Sequence, residues 1–179
     1  MTDFSPPIPY LTILPFMQHF TDIQIYSIAL LLFFSLLSFW KLFRWIGRDV
    51  KQRYLCKHRR LKRLKRLSWS EFEHLCAVLF EKEGWHVFET TTQGADGGVD
   101  IHMKKRMKRA IVQCKKYEDG KVTVKVVREM YGLMHEYEVD EVYIVTTSEF
   151  TKECYRFVED KPMVLLNGDA LVARIRKRC

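Results

Sequence analysis

The residues best suited to chemistry lie close together in the middle of the chain. Gly94-Ala95-Asp96-Gly97-Gly98-Val99-Asp100-Ile101 is followed by Ile111-Val112-Gln113-Cys114-Lys115. The apolar neighbours put Asp100 in one expected strand and Gln113 and Lys115 in the next. Gln113 and Lys115 are two apart, so their side chains leave on one face, while Lys116 points the other way. A tight turn through Lys105-Arg106-Met107-Lys108 folds the two strands together. A carboxylate, an amide and an ammonium then meet at a sheet surface. The carboxylate and the amide oxygen are hard ligands for a cation such as Mg2+ or Mn2+, and the ammonium offsets charge on an attacking water or on a phosphodiester. Aspartate is disfavoured inside a strand, and between Val99 and Ile101 it conflicts with its surroundings, which points to a purpose other than folding. A glutamine after Ile111 and Val112 must be hydrogen-bonded or ligating.

These residues need a scaffold, and residues 67–179 read as one. Ser68-Trp69-Ser70-Glu71 is a capping-box pattern, with a helix expected to about Lys82 and a stop before Gly84. Its apolar stripe is Trp69, Phe72, Leu75, Cys76, Leu79 and Phe80. Strands are expected at 85–90, 99–103, 109–116, 142–146 and 163–166, with Thr91 to Gly98 a loop. Val124 to Met134 follows helical spacing, Thr147 or Ser148 is expected to cap a helix through Phe157, and Asn167-Gly168-Asp169 leads into a last helix. The order α-β-β-β-α-β-α-β-α indicates a mixed α/β domain with helices covering a central sheet.

The first part of the chain is different. Residues 1–22 hold no Lys or Arg and form a short tail expected outside the cytoplasm. In residues 23–40 only Gln24 is strongly polar, and at about 1.5 Å per residue they reach about 27 Å, close to a hydrocarbon core. No positive region precedes them and no small-residue cleavage site follows, so a transmembrane helix is expected rather than a leader. Residues 41–66 are a basic juxtamembrane linker with twelve Lys and Arg against one acid, Asp49. The positive-inside rule then gives a single pass through the inner (cytoplasmic) membrane, N-terminus outside and the folded domain in the cytoplasm. The basic stretch has two open readings: a topology signal touching anionic lipids, which juxtamembrane clusters commonly are, or an arm that grips DNA. The net charge of +8 favours polyanions without choosing between them. The five cysteines, Cys56, Cys76, Cys114, Cys154 and Cys179, are widely spaced and lack zinc-site patterns. They are expected to be reduced thiols, with Cys76 and Cys114 packed among apolar residues.

Five elements occur in an informative order: Glu73 within Ser68-Trp69-Ser70-Glu71-Phe72-Glu73, the Gly-rich loop ending at Asp100, Gln113-Cys114-Lys115, Ile144-Val145-Thr146-Thr147, and Leu165-Leu166-Asn167-Gly168. Together they resemble the catalytic domain of the Mrr-type restriction endonucleases, of the PD-(D/E)XK nuclease superfamily, over about residues 67–176. The resemblance implies a restriction-endonuclease-like α/β fold, here preceded by one transmembrane helix. It implies a metal-dependent DNA endonuclease, with Mg2+ or Mn2+, that leaves a 5′-phosphate and a 3′-hydroxyl in restriction of, or defence against, foreign DNA. Asp100 resembles the family's metal-binding aspartate, and Lys115 the lysine that orients or activates the attacking water. Gln113 stands where Glu or Asp is usual, as it commonly does in Mrr-like members.

Two carboxylates hold Mg2+ better than one carboxylate and an amide, so a second acid is expected. Glu73 is the best candidate: it lies at the margin of the apolar stripe, where a carboxylate needs a cation or donors, although a solvated edge or a second cap with Ser70 would also explain it. Asp96 is either a turn residue or a further acid near the metal. Lys116, Lys121, Lys125 and Thr147 are weaker candidates for DNA phosphates, each equally well explained as surface or helix cap. His102 is assigned no role. Mrr-type enzymes usually carry a separate DNA-reading domain, for which these residues leave no room, so location is expected to limit what is cut. Duplex cleavage needs two active sites or two nicks, which leaves a homodimer open. The alternative is a catalytically silent, membrane-tethered nucleic-acid-binding module, kept open by Gln113.

Overall fold

Helix formation in the folded domain starts where the capping residues demand it. Ser68 Oγ accepts from Glu71 N at 3.2 Å and Glu71 Oε2 accepts from Ser68 N at 2.7 Å. Two orphan donors are satisfied at once, and α3 (Trp69–Lys82) runs from there. Gly84, with φ +89°, turns the chain into β1 (His86–Glu89). The structure, a computed structural model, describes residues 14–89 and 98–179. Asp96 and most of the Gly-rich loop therefore lie outside the described residues, as does the tail before Leu14.

The central sheet is mixed. β2 (Ile101–Lys105) and β3 (Lys108–Lys115) form the expected hairpin, with Arg106 at φ 56° in its turn. With β5 (Glu141–Thr146) and β7 (Met163–Leu166) the sheet order is β1-β2-β3-β5-β7. The first three strands are antiparallel, and β3, β5 and β7 are parallel. The parallel pairs are crossed by α4 (Val124–Glu136) and α5 (Lys152–Val158), and α6 (Gly168–Arg176) follows β7. Asn167 caps α6 by accepting from Ala170 N at 2.9 Å.

A small parallel sheet of β4 (Lys121–Val122) and β6 (Glu149–Phe150) was not expected. It corrects the expected cap at Thr147 or Ser148. Thr147 Oγ1 donates to Tyr117 O at 2.7 Å and Ser148 Oγ to Gly120 O at 2.8 Å. Both hydroxyls fasten the segment after β3, and the N-cap position of α5 falls to Thr151.

Side chains alternate along β3 between two cores. Ala110, Val112 and Cys114 pack with Phe72, Leu75 and Phe80 of α3 and with Leu171 and Ile175 of α6. Ile111 packs with Val127, Met130 and Ile144 on the other face. Both faces are covered, which is why the strand reads as a continuous apolar run.

The first part of the chain differs from expectation in extent. One helix, α1 (Leu14–Lys57), starts before residue 23 and continues past residue 40. Pro15 does not stop it, because proline is tolerated in a first turn. Among the described residues α1 is the one helix long and apolar enough to cross a membrane. Its apolar side chains, including Phe33, Leu36, Phe39 and Trp40, are exposed. The chain divides into two units between Asp49 and Val50. In the second unit Leu55, Leu64 and Leu67 are buried in the α3 core, with α2 (Leu61–Leu64) among them. The end of the stretch expected as a linker is therefore part of the domain.

The cysteine expectation is corrected as well. Cys56 and Cys179 form a disulfide, with Cα atoms 5.4 Å apart. They are brought together because Gln52 Nε2 donates to Arg178 O and Arg176 Nε to Arg59 O, seating the segment after α6 along the end of α1. Cys76, Cys114 and Cys154 are free and buried.

Candidate active site

Antiparallel register sets the site. Ile101 pairs with Val112, and Asp100 N donates to Val112 O at 3.0 Å, so Asp100 lies opposite Gln113 just before β2 begins. It is one residue outside the strand in which it was expected. Asp100 Oδ2 accepts from Gln113 Nε2 and from Cys114 N, both at 2.6 Å. Gln113 is 3 % exposed, so the contact satisfies an amide that would otherwise be buried at a cost. Gly98, at φ +106°, lies against it: a Cβ there would meet Gln113 Oε1 at 2.9 Å. Glycine is required on both counts, for the backbone conformation and for the close approach.

Lys115 ends β3, with Nζ 5.7 Å from the centre of the Trp69 ring. Its backbone carbonyl accepts from Thr146 Oγ1 at 2.6 Å, which locks the strand end to β5. Glu73 comes from α3. Burial, with Asp100 as the next cause, pushes the Glu73 carboxyl up to about 7. Burial likewise raises the Asp100 carboxyl, against the opposing effects of Cys114 N–H, Lys115 and Gln113. Two partly buried carboxylates, one of them raised in proton affinity by the charge of the other, make a place where a positive charge is favourable.

The donor set fits a hard cation. Two carboxylates and a carboxamide offer oxygen ligands, and Mg2+ needs few protein ligands because it keeps several waters. In the present rotamer Gln113 presents nitrogen to Asp100; a half-turn of the amide presents oxygen. Among the described residues no three His, Cys, Asp or Glu side chains form a metal-binding group, so the set depends on the amide as well as on Asp100 and Glu73.

The structure thus brings Asp100, Gln113, Lys115 and Glu73 to the carboxyl end of β3. The weaker candidates fare differently. Thr147 is fully buried and its hydroxyl is spent on Tyr117 O, which removes it as a DNA contact. Lys116 is mostly covered and pairs with Glu118 at 3.4 Å. Lys121 on β4 and Lys125 on α4 are exposed. His102 lies edge-on to Tyr137, 5.1 Å between ring centres.

The sequence reading missed Trp69. It was counted with the buried stripe of α3, yet its side chain is 43 % exposed beside Lys115. The available signal was position: Trp69 is the first residue of the helix, where the apolar stripe has nothing above it to pack against.

A family model described as restriction endonuclease, of the Mrr catalytic type, matches residues 64–175. Among solved structures, the DNA modification-dependent restriction endonuclease AspBHI is similar at 19% identity and a TM-score of 0.52, over 73% of this chain and 35% of that chain. The MspJI restriction endonuclease in complex with a 27-mer oligonucleotide gives 24% identity and a TM-score of 0.44 over 59% of this chain and 27% of that one. A protein of unknown function, AF1548, gives 16% and 0.48 over 55% of this chain and 62% of that one. This chain spans less than two thirds of the length of each. No curated protein matches. The likeness to AspBHI shows the fold.

Proposed function

The chain belongs to the restriction endonuclease family of the Mrr catalytic type, and from that premise we propose that it is a membrane-anchored, metal-dependent DNA endonuclease acting in restriction of foreign DNA. The observation that carries the reading is the meeting of Asp100, Gln113 and Lys115 at one strand end, with Asp100 near enough to raise the proton affinity of the Glu73 carboxyl.

Asp100, Glu73 and the Gln113 amide oxygen would hold Mg2+ or Mn2+, which supplies charge stabilisation at a phosphate and a lowered pKa for a water. The chain's own residues do the rest. Lys115 approaches the scissile phosphate from the Trp69 side, where its ammonium offsets developing negative charge and orients the attacking water. The hydrogen bond from Cys114 N–H holds the Asp100 carboxylate in one orientation. The buried surroundings of Gln113 exclude bulk water, which strengthens each of these interactions.

The anchor is proposed on the exposed apolar surface of α1, which water does not favour. The basic residues after Trp40 support placing the second unit in the cytoplasm. Anionic lipids at the membrane surface and a homodimer belong to the same proposal. In a reducing cytosol Cys56 and Cys179 would be held as thiols.

The test is plasmid nicking by the full chain in neutral detergent, with Mg2+, Mn2+ or EDTA. A fragment starting at residue 67 is unsuitable, since it would strip Leu55 and Leu64 from the core. Metal-dependent nicking that disappears in both Asp100→Asn and Lys115→Ala is the expected result. The second reading, a silent binding module, rests on Gln113 donating to Asp100 instead of adding a carboxylate. DNA binding without nicking under any metal would select it.

A further inference from the structure

Within the second unit lies an open cleft of about 840 Å³ between α2 and the start of α3. Lys62, Lys65, Arg66 and Lys116 line it, together with Ser68. Two carboxylates also reach it. Glu71 is spent on the capping box. Glu118 is exposed and pairs with Lys116, while its carbonyl accepts from Lys65 Nζ at 3.1 Å. Four cations against two acids leave the cleft positive. Lys116 directly follows Lys115, and Ser68 directly precedes Trp69, so two residues of the lining are chain neighbours of Lys115 and Trp69.

Trp69 does not line the cleft but follows its residue Ser68 in the chain and lies beside Lys115. Its indole is 43 % exposed, and Lys115 Nζ lies 5.7 Å from its ring centre. Trp69 and Glu73 are four apart on α3 and share a helix face. Packing does not demand an exposed indole there, and a phosphate does not use one. A nucleobase does, because stacking on an aromatic ring is open to every base. A base inside a duplex is already stacked on both sides, so only an unpaired or extruded base can lie on Trp69.

We propose that the α2–α3 cleft and Trp69 form a strand-binding subsite for unpaired DNA. Lys62, Lys65, Arg66 and Lys116 take its phosphates, and Trp69 stacks on the base beside the scissile bond. The substrate class is then DNA with a single-stranded stretch at the cut. This deepens the nuclease reading and rests on it. It also assigns the last part of the basic stretch to nucleic acid; a lipid headgroup shares the phosphate chemistry, and the lipid competition arm of the test separates the two.

The test is binding of the full chain in neutral detergent to a fluorescein-labelled single-stranded oligonucleotide and to its duplex, by anisotropy in EDTA so that nothing is cut. The single strand is expected to bind more tightly. Trp69→Ala should weaken it about tenfold, with little change on the duplex, and Trp69→Phe should restore most of the loss. Replacing Lys62, Lys65 and Arg66 together by alanine should reduce the slope of log affinity against log salt by about two. Unchanged affinity in Trp69→Ala, or an equal loss on both oligonucleotides, would overturn the proposal. So would a triple variant that binds DNA normally but is no longer competed by phosphatidylglycerol added to the micelles, which would make the cleft a lipid site. Nicking assayed separately in Mg2+ keeps the two readings apart: strand binding as expected with no nicking overturns the nuclease reading and upholds the subsite.

Discussion

The two ends of the β2–β3 hairpin both carry charged residues and behave oppositely. At the turn, Lys105, Arg106, Lys108 and Arg109 are exposed, and three of them have simple answers. Lys105 Nζ donates to Glu83 O at 2.7 Å, Lys108 pairs with Glu141 at 2.5 Å, and Arg109 reaches Glu138. At the open end Asp100, Gln113 and Lys115 are half-buried or buried, and burial pushes the Asp100 and Glu73 carboxyls toward protonation, for Asp100 against the opposing effects of Cys114 N–H, Lys115 and Gln113. Surface pairing is cheap and replaceable. Buried charge without full compensation is costly and persists where it has a use. The contrast agrees with the placement of the proposed site at the open end.

The comparison can be broken by unequal substitutions. Asp100→Asn or Lys115→Ala should lower nicking on the order of a thousandfold, whereas Lys108→Ala should leave it within about twofold; similar losses at both ends would dissolve the distinction. Gly98→Ala comes next. It forces a residue with a Cβ into φ +106° and against Gln113, at a cost of about 1–3 kcal/mol in thermal unfolding, with nicking falling alongside. Gln113→Glu should tighten Mg2+ binding about tenfold by adding a carboxylate, read by calorimetric titration, and should weaken the metal-free fold through repulsion with Asp100.

A smaller effect is expected from pH. The Glu73 carboxyl titrates near 7 in the fold, against 4.5 when unfolded. Between those values the folded chain holds more protons than the unfolded one, so stability in EDTA should fall as pH rises from about 4.5 to 7. Glu73→Gln should flatten that slope in melting curves. A wild-type curve that instead rises across this window would contradict the burial of the Glu73 carboxyl. The least change is predicted in melting temperature for Lys108→Ala.

Much of this contrast was legible in the sequence because it follows from short-range rules. The Ser68–Glu71 capping box, the Lys105–Lys108 turn and the two-residue spacing of Gln113 and Lys115 act over a few residues and appear as expected. What was not legible depended on distant partners. Thr147 reads as a cap until Tyr117 O claims its hydroxyl. The basic stretch hides Leu55, Leu64 and Leu67, whose burial depends on α3 and α6 being in place. Trp69 belongs to an apolar stripe by spacing, yet ends beside Lys115 because β3 stops there. The membrane reading rests on composition and on the exposed apolar surface of α1.

The bond between Cys56 and Cys179 makes the second unit a covalent ring, since the two residues are 123 apart in sequence. Closing a loop of that length restricts the unfolded chain by about 4–5 kcal/mol in the entropic view. While it is closed, a single proteolytic nick inside the ring leaves the pieces attached; after reduction they separate. Electrophoresis of nicked protein with and without reductant therefore reports directly the redox history of the compartment the unit has occupied.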